Sequence, residues 1–309
     1  MKVSVLVPVY NGAKFLAECL DSILAQDFLD LEILIADDGS SDGSLELIQR
    51  YAEKDRRIRW WKNPVNLGLA GNFNCCLRAA RGDYIKYVLQ DDVLLSPPAI
   101  RKMVQALDAD PSVSLVGSAS HVIDDQSKPL EFRNNFRRSA VLEGKSVIIR
   151  CLHDSGNLIG EPSVVMFRRE QAVRGFDERY RQLIDLEFWF YLLEENRFAY
   201  LAEPLCAFRQ HREQQTAVNR QSGAHLKDEI MLAHHWLLRP WLQMSQRHNR
   251  LLFKQIYNFR KHHRVQARQL IEDFMASLTP QWYVFYWIEH KLLNPFRNLN
   301  RSVRKRLRA

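Results

Sequence analysis

Between residues 3 and 88 the chain alternates short, nearly continuous apolar runs with amphipathic stretches, and this alternation limits the possible folds more than any other feature. "VSVLVPV" (3–9) and "LEILIA" (31–36) are rich in β-branched residues, the pattern of strands covered on both faces. Between them "GAKFLAECLDSILAQD" places apolar residues at 15, 16, 20, 23 and 24, one stripe of a helix. A second helix follows in "SLELIQRYAEK", with Asp42 as its expected cap. Then come Ile58–Trp61, the helical "GNFNCCLRAARG" ending at Gly82, and the strand "DYIKYVL". Strands that alternate with helices pair in parallel through right-handed crossovers, with helices on the sheet faces. The expected fold class is α/β.

Beyond residue 96 the pattern loosens. A helix is expected over 97–109, with Ser96 as N-cap and Pro97 in its first turn, and a strand over 113–119. An irregular Arg/Asn-rich segment (124–139), a strand at 163–170 and an amphipathic helix at 184–196 follow. From about 216 the sequence is strongly helical, with breaks at Pro240 and Pro280, so a boundary is placed near 215. A composition 46% hydrophobic and 26% charged excludes a disordered chain.

In a parallel sheet the ligand crevice lies beyond the carboxyl ends of the strands. Three polar clusters fall there: "VYNG" (9–12), "DDGSSDG" (37–43) and "QDD" (90–92). Each alone also reads as turn chemistry; their convergence at successive exits is the functional signal. Asp91 and Asp92 are the most demanding, because they sit between apolar runs. Burying an unpaired carboxylate costs several kcal/mol, so the pair needs a cation, hydrogen bonds or water. Adjacent acids suit an oxygen-ligating Mg²⁺ or Mn²⁺, which binds through one or two carboxylates plus substrate phosphates.

These blocks have a familiar order. "SVLVPVYNGAKFLAECLDSILAQ", "ADDGSSDGS", "NLGLAGNFN", "GDYIKYVLQDDVL" and "GFDERYRQLIDLEFWFYL" resemble the successive blocks of family-2 glycosyltransferases over roughly residues 3–215. The resemblance implies a GT-A fold: a Rossmann-like, mostly parallel sheet flanked by helices, here with a C-terminal helical extension. It implies a nucleotide-sugar half (about 1–110) and an acceptor half (about 111–215). It also implies an inverting enzyme that transfers a sugar from a nucleotide diphosphate donor, UDP-linked by first expectation, with Mn²⁺ or Mg²⁺ as cofactor. The acceptor would be a saccharide or lipid-linked saccharide, in surface-polysaccharide or O-antigen synthesis.

Residue by residue, Pro8 and Tyr10 match the segment that packs on the nucleotide base, and Asp38 matches the acid that binds the base. Asn72 matches a further nucleotide-side position. Asp91 matches the residue near the ribose and Asp92 the metal ligand, although Gln90 replaces the first acid of the Asp-Asp-Asp form. Asp185 matches the general base of "ED-x-D-x-W", with Ile184 and Glu187 replacing two of its acids and Trp189 retained. His211 of "FRQH" matches a histidine that reaches the metal or diphosphate. Glu161 of "GEP" falls on the acceptor side with Glu187 and Trp189, and Glu187 is second in line as base. A nucleotidyltransferase shares the layout, but "PVYNGAKF" lacks a basic, glycine-rich phosphate loop. A non-catalytic sugar-nucleotide or nucleic-acid binder remains the non-enzyme reading.

The net charge of +8 belongs to the tail: residues 251–309 carry 12 basic against 3 acidic side chains, and 1–250 carry 32 against 33. The aromatic, then polybasic run 282–309 suits peripheral attachment to an anionic membrane surface, where each Lys or Arg contributes on the order of 1 kcal/mol. No nucleic-acid motif accompanies it, and no nucleic-acid partner is expected. No apolar run approaches the roughly 18 residues a spanning helix needs. The five cysteines, odd in number and without CxxC spacing, read as free thiols of a reducing, cytoplasmic compartment.

Overall fold

The computed structural model describes residues 1–211 except 155, together with 214, 216, 219, 224–237 and 239–242. The run 282–309 lies outside these residues. By internal packing the chain divides into a unit Met1–His225 and a second unit Leu226–Ala309. In chain order the elements are β1 (Val3–Val9), α1 (Ala13–Leu24), β2 (Leu31–Asp37), α2 (Ser44–Lys54), β3 (Ile58–Lys62), α3 (Gly68–Ala79), β4 (Tyr84–Tyr87) and β5 (Val93–Leu94). They continue with α4 (Ala99–Asp108), β6 (Val113–Ile123), β7 (Pro129–Arg133), β8 (Ala140–Glu143), α5 (Gly144–Asp154), β9 (Val165–Arg168), α6 (Ile184–Leu193), β10 (Arg197–Arg209) and α7 (Ala224–Leu237). Among the described residues, no helix is long and apolar enough to cross a membrane.

One sheet runs β3-β2-β1-β4-β9-β6-β10-β5, with β7 on β6 and β8 on β10. Every residue of β1 and β2 is buried, as two-sided cover requires. Their register, Val3↔Leu31 through Val9↔Asp37, ends both strands at the same level. β3 pairs in parallel with Lys62 opposite Asp37, and β4 pairs in parallel with β1. Beyond β4 the sheet is mixed. β9 inserts between β4 and β6 antiparallel to both, and β10 then runs parallel to β6. The irregular segment 124–139 contains β7, which folds back on β6 as a hairpin.

Two helix starts differ from the sequence expectation. Asp42 joins two helices: its Oδ1 accepts from the Ser44 backbone N–H (3.1 Å), and its Oδ2 accepts from Ala13 N–H (2.9 Å) at the start of α1. The residue at the cap position of α2 is Gly43, in the left-handed region at φ +89°. Ser96 does not cap α4, and its hydroxyl is buried without a partner. Gln26, just past α1, replaces it: Oε1 accepts from Ile100 N–H (3.0 Å) and Nε2 donates to the Ser96 carbonyl (2.9 Å). One buried amide thereby ties the start of α4 to the end of α1.

Candidate active site

The register of β1, β2 and β3 brings the first two clusters together. Asp38 N–H donates to the Val9 carbonyl (2.8 Å), and Asn63 N–H to the Asp37 carbonyl (2.8 Å). The Asp38 carboxylate is buried and accepts from Asn63 Nδ2 (2.8 Å), Leu67 N–H (2.9 Å) and Gly68 N–H (2.9 Å). It therefore satisfies free N–H groups at the start of α3, where a negative charge is favoured. Oδ2, with one donor, retains an acceptor position for a ligand.

Asn72 lies behind this group, buried. Its Oδ1 accepts from Asn63 Nδ2 (2.9 Å) and its Nδ2 donates to the Ala36 carbonyl (3.0 Å). It orients Asn63 and has no face of its own toward a nucleotide. Pro8 is likewise buried within β1, opposite Ala36, and is part of the strand rather than of a binding surface. Tyr10 is the member of that cluster presented to solvent, 52% exposed. Asp37 adds a feature the sequence does not single out: its Oδ1 is buried without a hydrogen-bond partner.

Gln90, the position where an acid is replaced, binds the β1 exit. It accepts from Tyr10 N–H (2.8 Å) and donates to the Tyr10 carbonyl (3.0 Å). Gly12 makes room for it, since a Cβ there would lie 2.4 Å from Gln90 Oε1. Gly12→Ala should expel Gln90 and lose both bonds, destabilising the unit by about 1–3 kcal/mol; an unchanged urea midpoint would contradict this.

Asp92 is fully buried. Its Oδ1 accepts from Arg209 N–H (2.9 Å), and its Oδ2 has no partner among the described residues. Burial, then the neighbouring Asp91 charge, pushes this carboxyl well above the usual range. Asp91 remains more accessible, and its Oδ2 meets His211 Nε2 at 3.0 Å. The histidine ring lies 5.0 Å from that of Phe15 on α1. The structure thus joins Asp91, Asp92 and His211, with His211 on Asp91 rather than on Asp92. Among the described residues no group of three His, Cys, Asp or Glu side chains is placed to hold a metal ion, so what the structure offers an oxygen-preferring divalent cation is Asp92 Oδ2 and the neighbouring Asp91 carboxylate.

Arg209 holds this corner, and the sequence reading missed it. Its buried guanidinium donates to the carbonyls of Asp91 (2.7 Å) and Asp124 (2.9 Å), to Ser127 Oγ (2.9 Å) and to Glu18 Oε2 (2.6 Å). It also lies over the Phe15 ring at 4.6 Å. Lys86, on β4, was missed as well. It is fully buried and donates to the carbonyls of Ser163 and Val165, fastening the segment before β9 to β4. Burial pushes its pKa down.

Asp185 stands in the first turn of α6. Its Oδ1 accepts from Leu186 N–H (2.8 Å) and its Oδ2 from Asn157 Nδ2 (3.0 Å). The side chain keeps some exposed area, yet protein surrounds it closely. That desolvation, reinforced by Glu161, pushes the carboxyl up to about 7 rather than leaving it in the ordinary carboxylate range. Glu161 itself accepts from Arg133 (2.6 Å), and its charge acts on both Asp92 and Asp185. It lies electrostatically between the two acids.

Glu187 is not available as a base. It is buried, and both its oxygens accept from Arg174, at 2.8 and 2.6 Å. Trp189 is also not an acceptor surface. It is fully buried beside Phe167 and Phe188, with its indole N–H donating to the Gly160 carbonyl (3.0 Å).

The fold is similar to that of S. aureus TarS 1–349 in its crystal structure in complex with UDP-GlcNAc, at a TM-score of 0.65 over 94% of this chain and 79% of that one, with 17% identity. It also matches mannosyltransferase PcManGT from Pyrobaculum calidifontis in complex with GDP-Man and Mn²⁺, at a TM-score of 0.61 over 96% and 82%, with 20% identity. These likenesses define the fold as GT-A. In sequence, an uncharacterized protein of Mycobacterium tuberculosis (strain CDC 1551 / Oshkosh) is 33% identical over 216 residues, 67% of this chain and 66% of that one. The putative glycosyltransferase EpsE of Bacillus subtilis (strain 168) is 30% identical over 253 residues, 79% of this chain and 84% of that one. The profile of glycosyl transferase family 2 matches residues 4–170, more than half of the chain, and the chain belongs to that family.

Proposed function

We propose that this glycosyltransferase is inverting and metal-dependent. It transfers a sugar from a nucleotide diphosphate donor, UDP-linked by first choice, to a saccharide or lipid-linked saccharide in surface-polysaccharide synthesis of the O-antigen type. The observation that carries this reading is Asp185, a carboxyl raised to about 7 that keeps solvent exposure while Glu187 beside it is locked to Arg174. Single displacement at an anomeric carbon needs one base for the acceptor hydroxyl, and a base with a pKa near the working pH suits proton transfer. Asp185 would take that proton while Leu186 N–H and Asn157 hold its oxygens in place. Tyr10 and Asp38 would receive the base of the nucleotide. Asp92, with Asp91 beside it and His211 holding Asp91, would hold Mn²⁺ or Mg²⁺ together with the donor's phosphates, and the cation would supply compensation for charge developing on the diphosphate. The structures of TarS with UDP-GlcNAc and of PcManGT with GDP-Man and Mn²⁺ support a nucleotide-sugar donor and a cation of this kind.

The test is a calorimetric titration of UDP, GDP, dTDP and CDP, with and without Mn²⁺, on wild type and Asp92→Asn. The expected result is Mn²⁺-dependent binding of one nucleotide, weakened at least tenfold in the variant. Binding of no nucleotide under any condition would sink the reading.

A further inference from the structure

Asn157 lies in the segment between α5 and β9, outside every site motif of the sequence, yet each polar atom of its side chain is engaged. Oδ1 accepts from the backbone N–H groups of Ile159 (3.1 Å) and Gly160 (3.0 Å). Nδ2 donates to the Gly160 carbonyl (3.0 Å) and to Asp185 Oδ2 (3.0 Å). The amide has a single possible orientation. Rotated by a half turn, it would set NH₂ against two N–H donors and a carbonyl oxygen against two acceptors. The turn that carries it is fixed from the other side as well, because Trp189 Nε1 holds the same Gly160 carbonyl and Gly160 adopts φ +128°. A side chain locked in this way presents one N–H to Asp185 and can offer no acceptor there.

We propose that Asn157 is the positioning residue for the general base, fixing the orientation of the Asp185 carboxylate and selecting its ionised form. This rests on the reading of Asp185 as base. A donor that cannot become an acceptor favours the carboxylate over the acid, because a protonated Oδ2 would face another hydrogen. Among the described residues the charged and polar groups acting on Asp185 are few. Glu161 opposes ionisation, Arg133 pairs with Glu161, and the backbone N–H of Leu186 at the start of α6 favours ionisation. Against burial and Glu161, Asn157 supplies the one side-chain hydrogen bond among the described residues that opposes protonation. The same link connects the base to the 157–160 turn, whose next residue, Glu161, also influences Asp92.

Asn157→Asp is the informative change. Aspartate keeps one half of the turn, because its carboxylate accepts from Ile159 and Gly160 N–H as the amide oxygen does, but it gives up the bond to the Gly160 carbonyl, which Trp189 Nε1 still holds. Its second oxygen, however, then faces Asp185 Oδ2, and two carboxylates sharing a site raise one of their pKa values strongly. Asn157→Ser retains a turn acceptor but withdraws the donor from Asp185. The measurement is a ¹³C-carboxyl NMR titration of Asp185, assigned by difference against Asp185→Asn, on the full chain without ligand, with a thermal melt of each variant. The expected result is a midpoint near 7 in wild type, raised by at least about one pH unit in Asn157→Asp and by a smaller amount in Asn157→Ser. Melting temperatures should stay within a few degrees of wild type. An Asp185 midpoint unmoved in both folded variants would overturn the proposal. Turnover of whichever nucleotide sugar the wild type accepts then separates the two claims. If the midpoint rises and the acid limb of the rate profile rises with it, both hold. If the midpoint rises and the limb stays, Asn157 governs Asp185 but Asp185 is not the base, and the functional reading fails instead.

Discussion

Asp185→Asn should lower kcat by about 10²–10⁴-fold, the range general-base catalysis supplies, while nucleotide binding stays within about twofold of wild type. The substitution conserves shape, and an amide oxygen can still accept from Leu186 N–H, although its NH₂ then meets the Asn157 N–H in place of an acceptor. What it removes is the ability to take a proton. The wild-type rate profile should carry the signature of a group at about 7: full activity above that pH, and a tenfold loss for each unit below it as the base is protonated. Stability moves in the opposite sense. The folded state binds this proton more tightly than the unfolded chain does, so the stabilising contribution is present below the ordinary carboxylate pKa of 3.8 and is lost as pH rises toward 7. The Tm of Asp185→Asn relative to wild type should therefore shift in the variant's favour as pH rises from 4 to 8, on top of a constant loss from the Asn157 bond that the amide NH₂ cannot accept. A variant that turns over at the wild-type rate would remove Asp185 from the chemistry, and a Tm difference that does not change between pH 4 and pH 8 would contradict the account of its raised pKa.

The first half of the fold was legible because it is local. β1 and β2 bury every side chain, so their apolar runs are continuous in sequence, and the strand exits follow directly from where those runs stop. The polar clusters at the exits could be read for the same reason. The partners of the site residues could not. Ser96 resembles a cap by position, but the helix start is satisfied by Gln26, 74 residues away from Ile100. Asp185 and Glu187 both stand in the first turn of α6, a helix buried on most sides. The residue that removes Glu187 from competition, Arg174, belongs to a loop whose course has no periodicity to reveal it. Asn72 and Trp189 match motif positions, yet they serve the interior, holding Asn63 and Gly160. Motif spacing identifies positions near a site; it does not separate a residue that faces a ligand from one that supports the residue that does.

Arg209 shows this most strongly, and its replacement should have the largest effect on stability. The sequence offers "FRQH", where the histidine attracts the attention. In the structure the arginine is 1% exposed and its fork joins the Asp91 and Asp124 carbonyls, Ser127 and Glu18, drawing together the exits of β4 and β6 and helix α1. Arg209→Met conserves length and apolar stem but strands the part-buried carbonyls of Asp91 and Asp124. Glu18 is better placed to rehydrate, its side chain being 47% exposed. Loss of one partner from a buried charged network costs about 3–5 kcal/mol, which for a unit of this size lowers Tm by roughly 10 °C or more. Arg209→Lys should recover little of it, because an ammonium cannot reproduce a planar fork that serves four acceptors on different elements. The Asp92 bond comes from the Arg209 backbone and survives both substitutions. Nucleotide affinity should consequently fall less than stability does. A thermal melt of the two variants decides the matter: a lysine variant as stable as wild type would show that charge alone, and not the guanidinium's geometry, closes the corner where Asp91, Asp92 and His211 meet.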